Sequence, residues 1–145
     1  MNYRLFFRLS LLLPILVIGL FELGFWLFGP DFTKSIPKFF VGLWINTKTG
    51  LEIGIIQYIG LIAALAWGIG KWSLAAIKIN AALTPLYYAA IMFVSLFIYG
   101  HIIKDPSTTE VGMFAAVFSI VYGYMYVLLV FLSYFVLRKS GVLRV

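Results

Sequence analysis

Apolar residues run almost unbroken through four stretches, Leu9–Phe28, Ile53–Ile69, Ala81–Ile103 and Val111–Leu137, and polar residues gather between them. Crossing a hydrocarbon core takes about 20 apolar residues at about 1.5 Å of helix rise each. The first and third stretches have that length, the second is slightly short and the fourth is long. The pattern predicts an all-α integral membrane protein: four transmembrane helices in an up-down-up-down bundle, forming one transmembrane domain over residues 1–145.

The connections refine this picture. Gly70-Lys71-Trp72 begins a tight turn between the second and third spans. His101 to Glu110 forms another, with Asp105-Pro106-Ser107 as its breaker. Short connections predict antiparallel neighbours. The stretch 29–52 is the one long loop. In it Phe32, Ile36, Phe39, Phe40, Leu43 and Trp44 recur at near-helical spacing, with Lys34 and Lys38 on another face. With Ser35 as N-cap and Pro37 in the first turn, Ser35–Ile45 reads as a short amphipathic helix in the interface. Phe39, Phe40 and Trp44 are its interfacial residues, serving as a lid over the bundle or as a docking surface.

Composition agrees. The chain is 63% hydrophobic and 11% charged, with a mean hydropathy of +1.06. Soluble domains carry roughly 25% charged residues, and a soluble fold of this composition would expose large apolar patches. The net charge of +6 comes mostly from residues at span ends, where Lys and Arg anchor to headgroups, which argues against nucleic-acid binding. Arg4 and Arg8 before a Leu-rich core imitate a signal peptide. The apolar run, however, continues to Phe28 through Glu22 without an A-x-A-like site, so it reads as an uncleaved first span.

Basic residues favour cytoplasmic loops. Placing the N-terminus inside puts Arg4, Arg8, Lys71, Lys78, Arg138, Lys139 and Arg144 on that side, against Lys34, Lys38, Lys48 and Lys104 outside. The expected orientation is therefore N-in and C-in, in a bacterial inner membrane.

Candidate chemistry is sparse. The chain has no cysteine, which excludes disulfides and thiolate sites, and His101 is its sole histidine. No metal or cofactor is expected. Glu22 lies about 9 Å along the helix from the outer end of span one, and ionisable groups within spans are costly. It has three readings: an ion pair with Lys34 or Lys38, a proton- or cation-handling group, or a partner contact. Gln57, Ser95 and Ser119 lie in the same outer half and complete a possible polar layer, which glues helices or forms a site. Arg8 reads as a snorkelling anchor, and Pro14 and Pro85 as kinks, with Thr84-Pro85 one turn into span three.

Two ridges of small residues permit close helix approach: Gly60, Ala64 and Gly68 on span two, and Ala115, Ser119 and Gly123 on span four. Tyr122 and Tyr126 follow the second ridge in a stripe from Ser119 to Ser133, and their hydroxyls predict a protein-facing surface or a small-molecule cleft.

Two fragments carry resemblances. Gly42-Leu43-Trp44 resembles the loop signature of claudin-type four-span proteins, whose paired cysteines this chain lacks. Thr84-Pro85-Leu86-Tyr87-Tyr88-Ala89-Ala90 is similar to a segment of immunity proteins for pore-forming colicins, which have four spans with both termini inside. Neither fragment assigns the family. The expected function is non-enzymatic contact with another membrane protein or a second copy, as an accessory subunit or an immunity-type blocker. The alternative is a small channel or carrier that uses Glu22.

Overall fold

The structure is a computed structural model describing residues 1–104 and 106–144, apart from the Pro106 side chain. Among the described residues the elements are six helices: α1 (Tyr3–Ser10), α2 (Leu13–Phe28), α3 (Pro30–Lys34), α4 (Lys38–Lys71), α5 (Leu74–Ile103) and α6 (Pro106–Lys139). Three of them, α4, α5 and α6, are long and apolar enough to cross a membrane, and α1 with α2 supplies up to a fourth crossing as a bent pair.

The first span is broken. Asn2 caps α1 by accepting from the Arg4 amide at 2.8 Å. Pro14, near the start of α2, has no N–H, and its ring crowds the carbonyl four residues back. The helix therefore stops at Ser10 and restarts at Leu13, bent by 53°. Gly29, at φ 63°, ends α2 by donating to the Phe25 carbonyl at 2.8 Å.

The first loop differs from expectation. Ser35 ends the five-residue α3 rather than capping a new helix, and α4 begins at Lys38. The amphipathic segment and span two are thus joined without a loop, as two helical stretches that meet at a kink within the 34 residues of α4. The polar run between them read as loop because its groups need partners, and the helix supplies those partners. Asn46 donates to the Gly42 carbonyl and Thr49 to the Ile45 carbonyl, each one turn back. Lys48 stands 4.0 Å from Glu52.

This long helix bends at Gly54, whose φ of −123° and ψ of 30° are not helical. The Tyr88 hydroxyl from α5 lies at 3.0 Å from the Gly50 carbonyl and 3.2 Å from that of Gly54, meeting the acceptors that the bend loosens. A Cβ on Gly54 would overlap Met92, which is completely buried.

Ser73 caps α5, which begins earlier than expected, so Pro85 lies three turns inside it rather than one. Pro85 is buried, and its ring meets Gly123 of α6 so closely that no Cβ fits there. Higher up, Leu96 of α5 lies against Gly112. The pairs 85–123 and 96–112 make α5 and α6 an antiparallel hairpin, the most extensive helix pairing among the described residues. The expected breaker between them includes Asp105, which lies outside the described residues.

Two apolar clusters form the core. One gathers Phe6 and Phe7 of α1 with Ile69, Ile77, Val130, Tyr134 and Leu143. The other gathers Leu51, Tyr58, Leu61 and Leu65 of α4 with Tyr88, Met92 and Ala115. After α6 the chain turns at Gly141, at φ 75°, and the Arg144 amide donates to the Met1 carbonyl at 2.9 Å. This tie seats Leu143 on the first cluster. Arg4 donates to the Gly70 carbonyl at 3.0 Å and Arg8 to that of Ala66 at 3.1 Å, so α1 lies beside the end of α4.

Candidate functional site

The expected polar layer falls into three separate parts. Gln57 donates to the Ser95 hydroxyl at 3.1 Å, joining α4 to α5. Ser119 instead donates to the Ala115 carbonyl in its own helix. Glu22 is not part of the Gln57–Ser95 pair. Its partner is Lys48, with Nζ at 2.7 Å from Oε1, rather than Lys34 or Lys38. Lys34 is taken by Asp31 in the same turn. α2 and α4 run side by side, and this brings residues 22 and 48 to one height. The Glu22–Lys48 pair, with Glu52 beside it, lies in a half-exposed groove between Ile15, Ile18, Leu51 and Ile55.

Trp44 is packed against α2 rather than presented on the surface. It is 8% exposed and stacks on Phe21 at 5.7 Å between ring centres. This first part of α4 packs along α2 through Trp44, Phe21 and Phe25. Phe39 and Phe40 remain exposed on the first turn.

The two small-residue ridges have different fates. Ala115 is buried, and Gly123 is filled by Pro85. On α4, Gly68 is covered by the Trp72 ring, whereas a Cβ on Gly60 would meet nothing within 4 Å. Gly60 and Ala64 are exposed, together with Ile56 and Trp67 along the same face. The inward face of α4 is carried by Gly54, Tyr58, Leu61 and Leu65 instead.

Inside the bundle is a crevice of about 140 Å³. Its walls come from α1, α2, α4, α5 and α6. Tyr122, Tyr126, Ser119 and Gly123 line it from α6, and Asn46, Thr47 and Gly50 from α4. Asn46 Nδ2 donates to the Tyr122 hydroxyl at 3.0 Å, and Thr47 and Tyr126 share a hydrogen bond of 3.0 Å. Tyr122 and Tyr126 are thereby bonded to α4, whereas Ser133 at the far end of the stripe is exposed. Asn46, Thr47, Tyr58, Asn80 and Tyr88 are among the lining residues that the sequence reading did not name as site candidates. The signal for Asn46 and Thr47 was their register with Trp44 on one helix, hidden by the assignment of a loop.

The lining residues include no Asp, Glu, Lys, Arg or His, so Glu22 does not reach the crevice. No protein-family model, curated protein or solved structure matches this chain.

Proposed function

We propose that this is a non-enzymatic protein of a bacterial inner membrane that acts by contacting another membrane protein within the bilayer. It serves as an accessory subunit or as an immunity-type blocker of a pore former. Its spans run up-down-up-down with both termini inside. The clustering of Arg4, Arg8, Lys71, Arg138 and Arg144 toward one end supports that orientation through the preference of basic residues for the cytoplasmic side.

The observation that carries the reading is the open face of α4 at Gly60 and Ala64. Lipid tails are as apolar as leucine, so helices associate in a bilayer through close packing rather than hydrophobic exclusion. A small-residue surface lets a second backbone approach, and large neighbours such as Ile56 and Trp67 add contact on either side. The equivalent ridge on α6 is already occupied by α5. The reading as a channel or carrier has less support, because Glu22 is tied to Lys48 on the flank of the bundle.

The test is the mass of the intact particle purified in mild detergent from its native membrane. The wild type is expected to run above monomer mass or with a bound partner. Gly60→Leu and Ala64→Leu should reduce it to a folded monomer, since neither side chain meets the protein's own core. A wild-type monomer without partner would overturn the accessory-subunit reading and leave the blocker, and variants that keep the full assembly would overturn the proposal.

A further inference from the structure

The groove that holds Glu22, Lys48 and Glu52 points to a ligand, and it shares no residue with the open face of α4. Its shape follows from the antiparallel course of α2 and α4. Glu22 and Lys48 stand at one height. Ile15 is seven residues back along α2 and Ile55 seven residues on along α4, so both lie about 10 Å to the same side of the ion pair. Leu51, 8% exposed, forms the floor, and Ile15 and Ile55 form exposed rims. The groove is therefore charged at one end and apolar at the other. Its volume of about 470 Å³ falls within the range of about 300–1,000 Å³ of small-molecule sites.

Depth gives the two ends their meaning. Arg4 and Lys71 mark one headgroup level. Arg4 holds the Gly70 carbonyl, and the Lys71 ammonium sits over the Trp67 ring at 3.8 Å, a pairing of basic and aromatic anchors suited to an interface. From Lys71 back to Lys48 is about 35 Å of helix, and a hydrocarbon core is about 30 Å thick. The charged end of the groove thus reaches the opposite headgroup level, and Ile15 and Ile55 lie below it among acyl chains. Polar end and apolar end occur in the order in which a lipid presents its own two parts.

The charges select the headgroup. Two carboxylates flank one ammonium, so one negative charge is left over. Glu22 accepts from Lys48 at 2.7 Å, and a lysine ammonium has two further protons to donate. Glu52 stands 4.0 Å from Lys48, beyond hydrogen-bond distance, with its side chain 64% exposed. Donors at Lys48 and an uncompensated acceptor at Glu52 therefore adjoin. Lys48 between the carboxylates repels a metal ion, and Glu22 and Glu52 repel a purely anionic headgroup. A phosphate with an ammonium beside it answers both charges.

We propose that the groove binds one phospholipid whose headgroup carries a primary ammonium. The phosphate accepts from Lys48, the ammonium donates to Glu52, and the upper part of one acyl chain lies over Leu51 between Ile15 and Ile55. The rest of the lipid stays in the bilayer. A trimethylammonium headgroup has the same charge but no N–H to donate, so the hydrogen bond to Glu52 discriminates between the two.

The full chain, purified in mild detergent, would be titrated with dimyristoyl phosphatidylethanolamine and, separately, with phosphatidylcholine and phosphatidylglycerol of the same chains. Native mass spectrometry would read the bound lipid. The expected result is one saturable phosphatidylethanolamine per chain, bound at least about tenfold more tightly than either of the others, the factor that a hydrogen bond between charged groups supplies. Glu52→Gln keeps the shape and removes the charge. It should bring phosphatidylethanolamine down to the affinity of phosphatidylcholine and leave the latter unchanged. Asp31→Asn removes an acid outside the groove and should keep the wild-type preference. Unchanged circular dichroism separates these effects from misfolding, and the comparison of lipids on the wild type needs no variant. Non-saturable binding, equal or tighter binding of phosphatidylcholine or phosphatidylglycerol, a full preference in Glu52→Gln, or its loss in Asp31→Asn would overturn the proposal.

Discussion

Gly54→Ala should destabilise the protein although alanine is the better helix former. At this residue the added Cβ runs into the sulfur and methyl of Met92 and the hydroxyl of Tyr88. Met92 is 0% exposed, so it has no free space to retreat into. Forcing an extra carbon into a packed core costs about 1–3 kcal/mol. Displacing the Tyr88 hydroxyl from the Gly50 and Gly54 carbonyls adds about 1 kcal/mol. Against this, alanine restricts the unfolded chain more than glycine does, which favours folding by about 0.4–1 kcal/mol where the backbone conformation suits it. The net expectation is a loss of about 1–3 kcal/mol.

Gly60→Ala, six residues along the same helix, has no such opposition, because its Cβ meets nothing. It should be neutral or stabilising by up to about 1 kcal/mol. Reversible unfolding by SDS in mixed micelles, followed by far-ultraviolet circular dichroism, measures both variants. A third variant sharpens the reasoning. Met92→Ala alone should cost about 2–5 kcal/mol, but Gly54→Ala added to it partly fills the vacated space, so the pair should be at least about 1 kcal/mol more stable than the sum. If Gly54→Ala proves as stable as Gly60→Ala, or if the pair is additive, the tight contact of α4 with α5 at the bend is wrong.

Phe7→Ala removes a ring that is 1% exposed and packed on Phe6, Phe131 and Tyr134, and it should cost about 3–5 kcal/mol in the same assay. A loss below about 1 kcal/mol would mean that α1 is not part of the core. Tyr88→Phe keeps the ring and deletes the hydroxyl at the bend, with an expected loss of about 1 kcal/mol; no change would leave the bend without its hydrogen-bonded support. Gly123→Leu should separate α5 from α6 at Pro85 and expose the hairpin to limited proteolysis, whereas Gly60→Leu should leave cleavage unchanged; equal protection of both would contradict the asymmetry of the two ridges.

The class of fold was legible along the chain because spanning a membrane is a local requirement. Long apolar stretches must become helices, since lipid offers no partner to an unpaired backbone group. The break at Pro14 was legible for the same reason, as proline removes its own donor wherever it stands. What tertiary structure alone decided concerns faces and partners. Lys48 was as near to membership of a loop as Lys34 or Lys38, and only the side-by-side course of α2 and α4 brought it to Glu22. Asn46 and Thr47 looked like loop residues until Tyr122 and Tyr126 of α6 gave them hydrogen bonds within a helix. The ridges of α4 and α6 share one spacing, yet Pro85 fills the second and nothing fills the first at Gly60. Periodicity specifies which residues share a face of a helix. Which face turns inward depends on volumes and polar partners supplied from distant parts of the chain, and those meet only when the helices pack.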